Sequence, residues 1–221
     1  MSSLKNCLTI RTDIDRYTLI KPISSGGFSI VYLAVDQETK QKVVIKEYFP
    51  TSLAKRLPDY KVVQNSEKTA YMLQSGRGLF FQEAKFLSLL KHPNIVNVIS
   101  FFQANDTVYM VMEYESGQNL QSYIQKRKTA LSELFILTVF PSLLDGLKKI
   151  HDSGYLHLDI KPGNIHIRPG GRPLLLDFGA AHRRELSRML QPGQVFTVGY
   201  APIEQYRKTG YVGPGTDLYA L

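Results

Sequence analysis

Six side chains in this sequence have the type and spacing to do chemistry. In "YLHLDIKPGN", Tyr155 to Asn164, an aspartate, a lysine and an asparagine fall close together as Asp159, Lys161 and Asn164. A carboxylate there can orient a hydroxyl nucleophile, and the nearby lysine can offset charge on a transferring phosphoryl group. Asp177 ends the apolar run "LLLD", where it is either a turn initiator or a metal ligand. Asn164 and Asp177 both adjoin short strand-like runs and could share one cleft. Such oxygen ligands suit Mg²⁺, which keeps its waters and bridges phosphates. Glu83 falls on the apolar stripe of a helix, between Phe80 and Leu87. A buried carboxylate is costly without a partner. Glu83 therefore either reaches solvent at the stripe edge or meets a buried cation. Lys46 qualifies as that cation, because it ends the apolar run "VVIK" on the same face as Val44.

Other chemistries lack their residues. "SSGGFS", Ser24 to Ser29, is a turn between strand-like runs: a plain hairpin, or a place where glycine lets backbone N–H groups approach phosphates. It is neither a Walker A motif nor a G-x-G-x-x-G fingerprint. There is no zinc-like Cys/His spacing and no G-x-S-x-G elbow, and His157 reads as a packed structural histidine.

The elements that must position these groups begin as strands: "RYTLIKPI", "IVYLAV" and "KVVIKEYF", joined by "SSGGFS" and "DQETKQ". Residues 51–78 read as a long polar connection holding Pro58, Gly76 and Gly78. Helical periodicity starts at Leu79, with Phe80, Glu83, Leu87 and Leu90 on one face, and His92-Pro93 ends it. Two strands, "IVNVISFF" and "TVYMVMEY", flank the turn "QAND". Asn119 caps "LQSYIQK". Ser132 caps a helix to about Ser153 with Ile136, Phe140, Leu143, Leu147 and Ile150 on its stripe and a kink at Pro141. Strands "NIHIR" and "PLLLD" follow, then an extended loop over 178–215 and a helix from Thr216. The order predicts an α+β chain: a β-rich lobe with one helix over 1–115 and a mainly helical lobe over 116–221.

Bulk properties narrow the partners. The 221 residues carry a net charge of +8, which fits phosphate-bearing ligands, an acidic partner or a plain solvated surface. The positive charges are scattered apart from Arg183, Arg184 and Arg188, and no aromatic-interleaved stripe for nucleic acid is present. Cys7 is the only cysteine, so no intramolecular disulfide forms, which suits a reducing, cytoplasmic setting. No signal peptide and no membrane span are expected.

Taken in order, these pieces resemble the signature set of the protein kinases, from about Tyr17 to Leu221. "ISSGGFSIVYLA" is similar to the glycine-rich loop and "VVIK" to the strand of the phosphate lysine. "FFQEAKFLSLLKHPNIV" is similar to the helix that supplies its glutamate. "HLDIKPGN" resembles the catalytic loop, "DFG" the metal loop, and "TVGYAPIEQY" the end of the activation segment. "KEYFP" and "GYAPIEQY" also resemble bacterial kinases of the eukaryotic-like Ser/Thr type.

The resemblance implies a bilobal fold with an antiparallel N-lobe sheet plus one helix and a mainly helical, incomplete C-lobe. It implies transfer of the γ-phosphoryl of ATP, with Mg²⁺, to Ser/Thr hydroxyls of a protein substrate. Lys46 would hold phosphates and pair with Glu83, and Asp159 would be the base or hydroxyl-orienting group. Lys161 would neutralise the moving phosphoryl, while Asn164 and Asp177 would hold Mg²⁺. Ser24, Ser25, Gly26, Gly27, Phe28, Val31 and Val44 would border the nucleotide. Met112 would back the adenine, Glu113, Tyr114 and Glu115 would form the hinge, and His166 would lie beneath the base.

Departures from the pattern carry their own expectations. Ser24 and Ser29 replace the outer glycines, which stiffens the loop. Val44 replaces an alanine, His166 an apolar residue, and Ile203 splits the usual Ala-Pro-Glu. Leu158 stands where many kinases have an arginine that grips an activation-segment phosphate. Leucine has no donor, so activity is expected not to depend on such a phosphate through this residue. Ser187 and Thr197 are the candidate phosphosites. Asp217 resembles the aspartate that buttresses the catalytic loop, and Glu204 one that pairs with a later arginine. The sequence ends four residues after Asp217, so it is expected to be either a fragment or a shortened kinase whose exposed apolar surface is met by self-association or a partner. Three functions stay open: an active Ser/Thr kinase, a nucleotide-binding pseudokinase or scaffold, and a basic module for an acidic partner.

Overall fold

The computed structural model describes residues 6–179, 182–183, 197–206 and 211–221. The chain forms two compact units, Met1–Leu89 with Asn97–Tyr114, and Leu90–Val96 with Glu115–Leu221.

The first unit is built on β1 (Asp13–Ile14), β2 (Tyr17–Ser25), β3 (Ser29–Asp36), β4 (Lys42–Tyr48), β7 (Val98–Ala104) and β8 (Thr107–Glu113). They make one antiparallel sheet in the order β1-β2-β3-β4-β8-β7. Strand alternation buries Ile30, Tyr32 and Ala34 of β3 with Val43 and Ile45 of β4. β7 and β8 meet at Asn105 and Asp106, both at positive φ (50° and 55°), the signature of a type I′ hairpin.

The stretch 51–78 is not the plain connection its composition predicts. It holds a small hairpin, β5 (Ala54–Arg56) with β6 (Val62–Gln64), and the first half of helix α1 (Glu67–Leu89). The helix begins at Glu67 rather than Leu79, and Gly76 within it serves packing instead of breaking the helix. A Cβ at Gly76 would lie 1.9 Å from the Tyr48 hydroxyl and 2.7 Å from its Cζ. Only glycine lets α1 approach the end of β4 there. The helix buries Leu73, Phe80, Ala84 and Leu87.

In the second unit, β9 (Gln118–Asn119) leads into α2 (Leu120–Gln125), where Asn119 accepts from the Ser122 N–H at 2.7 Å. Ser132 caps α3 (Glu133–Asp152), and Gly154 follows its C-terminus at φ 78°. The helix runs continuously through Pro141. Its buried stripe is Val139, Leu143, Gly146, Leu147 and Ile150. Ile136, expected inside, is exposed, and Phe140 is half-buried. Gly146 lies on the buried stripe, where α3 packs on Asn94 and Leu175 and an added Cβ would sit at 3.4 Å from each.

β10 (Tyr155–Leu156) precedes the catalytic-type loop, and β11 (Ile165–Ile167) pairs with β12 (Pro173–Leu175) and with β9. Asn94 locks Leu90–Val96 to this unit through hydrogen bonds to Leu175 and Pro173. Within the segment read as an extended loop, β13 (His182–Arg183) pairs with β10 and a short helix, α4 (Ile203–Tyr206), forms. α5 (Pro214–Tyr219) begins two residues before the expected Thr216, whose hydroxyl accepts from the Gly213 N–H at 3.1 Å. Leu134, Leu137 and Leu144 of α3 and Leu218 and Tyr219 of α5 are exposed. Among the described residues no helix is long and apolar enough to cross a membrane.

Candidate active site

In the first unit, Lys46 Nζ meets Glu83 Oε1 at 3.2 Å, and each side chain is only 9% exposed. The sheet delivers the lysine and α1 the carboxylate, so the solvent-reaching reading of Glu83 fails. The ammonium also lies 5.4 Å from the Phe80 ring centre. Val31 is opposite Lys46 in the β3–β4 ladder, and Val44 is opposite Met112 in the β4–β8 ladder. Glu113 donates its N–H to the Asn97 carbonyl and accepts from Asn97 Nδ2 at 2.6 Å. Tyr114 is exposed, with the Lys42 ammonium 5.9 Å from its ring centre.

Ser24 and Ser25 end β2 opposite Val31 and Ile30. The Gly26 N–H donates to the Ser29 carbonyl at 2.9 Å, closing the turn. Beyond it, the Gly27 and Phe28 carbonyls accept from the Thr51 and Phe49 N–H groups at 3.0 and 2.9 Å. The Phe28 side chain is exposed.

In the second unit, Asp159 is the centre of a dense cluster. Its Oδ2 accepts from Lys161 Nζ at 2.7 Å and from Asn164 Nδ2 at 2.9 Å. Its Oδ1 accepts from the Thr197 hydroxyl at 2.7 Å, and Lys161 Nζ reaches the same hydroxyl at 2.7 Å. Thr197, named from sequence as a phosphosite, is thus held between the two catalytic-type side chains. Ser187 lies outside the described residues.

Asn164 donates a second bond to the Asp159 carbonyl, which leaves its carboxamide oxygen as the group's donor to a cation. The β11–β12 ladder continues one step, with the Leu176 N–H on the Asn164 carbonyl at 2.8 Å. That step brings Asn164 and Asp177 to the same end of the ladder. Asp177 is exposed at φ 54°, and its Oδ1 accepts from the Gly179 N–H at 3.3 Å. Among the described residues no three or more of His, Cys, Asp or Glu gather into a metal cage. One carboxylate and one amide oxygen fit Mg²⁺ that completes its shell with water and phosphate.

Asp217, 1% exposed, holds the loop from behind. It accepts from the His157 N–H at 2.9 Å, the Leu158 N–H at 2.7 Å and His151 Nε2 at 2.8 Å. Leu158 sits at φ 62°, a conformation costly for a branched side chain. Gln205 donates to its carbonyl at 2.9 Å, so both faces of the strained residue are tied. Its side chain packs with Leu156 and Val212. His157 is fully buried, donates from Nε2 to the Leu176 carbonyl and lies 4.6 Å from the Phe178 ring. His166 donates to the Ser116 carbonyl at 3.2 Å, and Glu115 pairs with Arg168 at 3.2 Å. Glu204 accepts from the Thr216 hydroxyl at 2.9 Å.

One cluster escaped the reading of the sequence. Glu47 is fully buried and accepts from the hydroxyls of Tyr32 and Tyr109 at 2.8 Å and from Arg56 at 2.7 Å. Burial, then the Glu47 charge, pushes both phenols well above their ordinary range. The signal was available. Glu47 shares a face with Val43 and Ile45, and a carboxylate on an apolar face demands a partner as Glu83 does.

The family profile described as protein kinase domain matches residues 17–221. The chain belongs to the protein kinase domain family. This kinase domain is 33% identical to Serine/threonine-protein kinase D of Synechocystis sp., over 94% of the chain and 39% of that relative. It is 38% identical to Serine/threonine-protein kinase Nek5 of Mus musculus, over 94% of the chain and 30% of the relative. The kinase domain thus spans well under half the length of these relatives. A solved structure, PpkA-294 in its apo form, matches with a TM-score of 0.85 at 36% identity, covering 97% of this chain and 75% of the other.

Proposed function

We propose that this kinase domain transfers the γ-phosphoryl group of Mg²⁺-bound ATP to a serine or threonine hydroxyl of a protein. The observation that carries the reading is the Asp159 cluster. There a threonine hydroxyl already donates to the carboxylate at 2.7 Å while a lysine contacts both. A substrate hydroxyl placed beside the same carboxylate would be oriented in the same way. Lys161 would stabilise charge on the transferring group, and Lys46, fixed by Glu83, would hold the phosphates of ATP. Asn164 and Asp177 would hold Mg²⁺, which when bound supplies charge neutralisation on the phosphate oxygens. Names of the relatives support Ser/Thr specificity.

Leu158 supports a second element of the reading, activation without a phosphate on the activation segment. Its side chain is 4% exposed among apolar neighbours, leaving no cation at that place in the loop.

Incubation with labelled ATP and Mg²⁺ tests the proposal. Transfer to a protein substrate is expected from the wild type and not from Lys46→Met or Asp177→Asn. Equal label in all three would end the reading. A Mg²⁺-dependent thermal shift with ATP but no transfer would leave a nucleotide-binding scaffold instead.

A further inference from the structure

The glycine-rich turn is tied down by a segment outside its own hairpin. Gly27 accepts from the Thr51 N–H at 3.0 Å and Phe28 from the Phe49 N–H at 2.9 Å. In a trans peptide the carbonyl and the next N–H point opposite ways. Fixing the Gly27 carbonyl therefore aims the Phe28 N–H, and fixing the Phe28 carbonyl aims the Ser29 N–H. Thr51 is itself held. The Pro50 carbonyl closes a turn over it to the Leu53 N–H at 2.9 Å, and Asn65 donates its N–H to Leu53 at 2.8 Å. From there β5 carries Arg56 to the fully buried Glu47, next to Lys46 on β4.

We propose that Thr51 is a positioning residue for nucleotide phosphate, its N–H bracing the Gly27–Phe28 peptide so that loop N–H groups stay aimed at the phosphates. The inference rests on the ATP-binding reading above.

Thr51→Pro in the intact protein is the test. Thr51 holds the second position of its turn, where proline is favoured, so the change deletes the N–H and keeps the turn. The dissociation constant for Mg²⁺-ATP is expected to rise about five- to tenfold, the factor one hydrogen bond carries. Adenosine, which lacks phosphates, is expected to bind as before. Thr51→Ala keeps the N–H and is expected to keep the wild-type ratio of ATP to adenosine affinity. Equal losses for both ligands, or unchanged ATP binding in Thr51→Pro, would overturn the brace. A wild type that binds neither ligand would overturn the nucleotide reading itself, and the brace with it. Amide exchange at Thr51 in the unaltered protein gives a measurement independent of the variant's folding. Slowed exchange is expected, and exchange at the unstructured rate would remove the contact on which the proposal stands.

Discussion

The N–H of Leu158 donates to Asp217 at 2.7 Å across 59 residues of sequence, and the same carboxylate takes the N–H of His157. A left-handed leucine in the middle of a catalytic-type loop is thereby held by a helix. Asp217→Ala would strip partners from two buried N–H groups. The expected cost is about 3 kcal/mol of stability, read by chemical denaturation. Loss of phosphoryl transfer is expected to exceed the loss of folded protein, because Asp159 follows Leu158 directly.

Leu158→Arg would not restore the family's usual arginine. The side chain is 4% exposed beside Leu156 and Val212, so the new charge would be buried without a partner. Destabilisation of about 3 kcal/mol is expected. Phosphatase treatment of the wild type is expected to leave turnover unchanged, and a loss of turnover would contradict the phosphate-independent reading.

Gly76→Ala sets two effects of opposite sign against each other. Helix propensity favours alanine by about 1 kcal/mol. The new Cβ would lie 1.9 Å from the Tyr48 hydroxyl and 2.7 Å from its ring, and overpacking of that kind costs about 1–3 kcal/mol. Net destabilisation is expected in thermal melts, with partial recovery in Gly76→Ala/Tyr48→Phe, which removes the closer atom.

Tyr32 and Tyr109 give the fold an alkaline limit. Burial, then the Glu47 charge, raises both phenols above the ordinary value of 10.0. The folded state keeps these protons after the unfolded chain has lost them. Their stabilising contribution is therefore complete below the ordinary tyrosine value and falls as pH rises above it. Of the 13 tyrosines, this pair is expected to ionise only as the protein unfolds, which near-ultraviolet absorbance against pH would reveal.

Where local chemistry decides structure, the sequence was legible. Asn119 and Ser132 cap their helices because short oxygen side chains serve orphan N–H groups wherever they fall. Glu83 was legible as half of an ion pair, because a carboxylate on an apolar stripe demands a cation. The start of α1 was not, since Gly76 reads as a breaker until Tyr48 is seen against it. Leu158 at φ 62° was invisible for the opposite reason: leucine carries no local preference for that conformation, and distant partners impose it. The link between Thr197 and Asp159 spans 38 residues and leaves no periodic trace in the sequence.

Asp217 also sets a clock on biosynthesis. It is 59 positions downstream of the leucine it holds. At about 5–20 residues per second, the ribosome makes it roughly 3–12 s after the loop has been made. Until then the strained turn has no carboxylate to hold it, so a nascent chain carries every catalytic-type side chain of the loop without their working geometry. The loop's working geometry thus waits for α5, and not for its own residues.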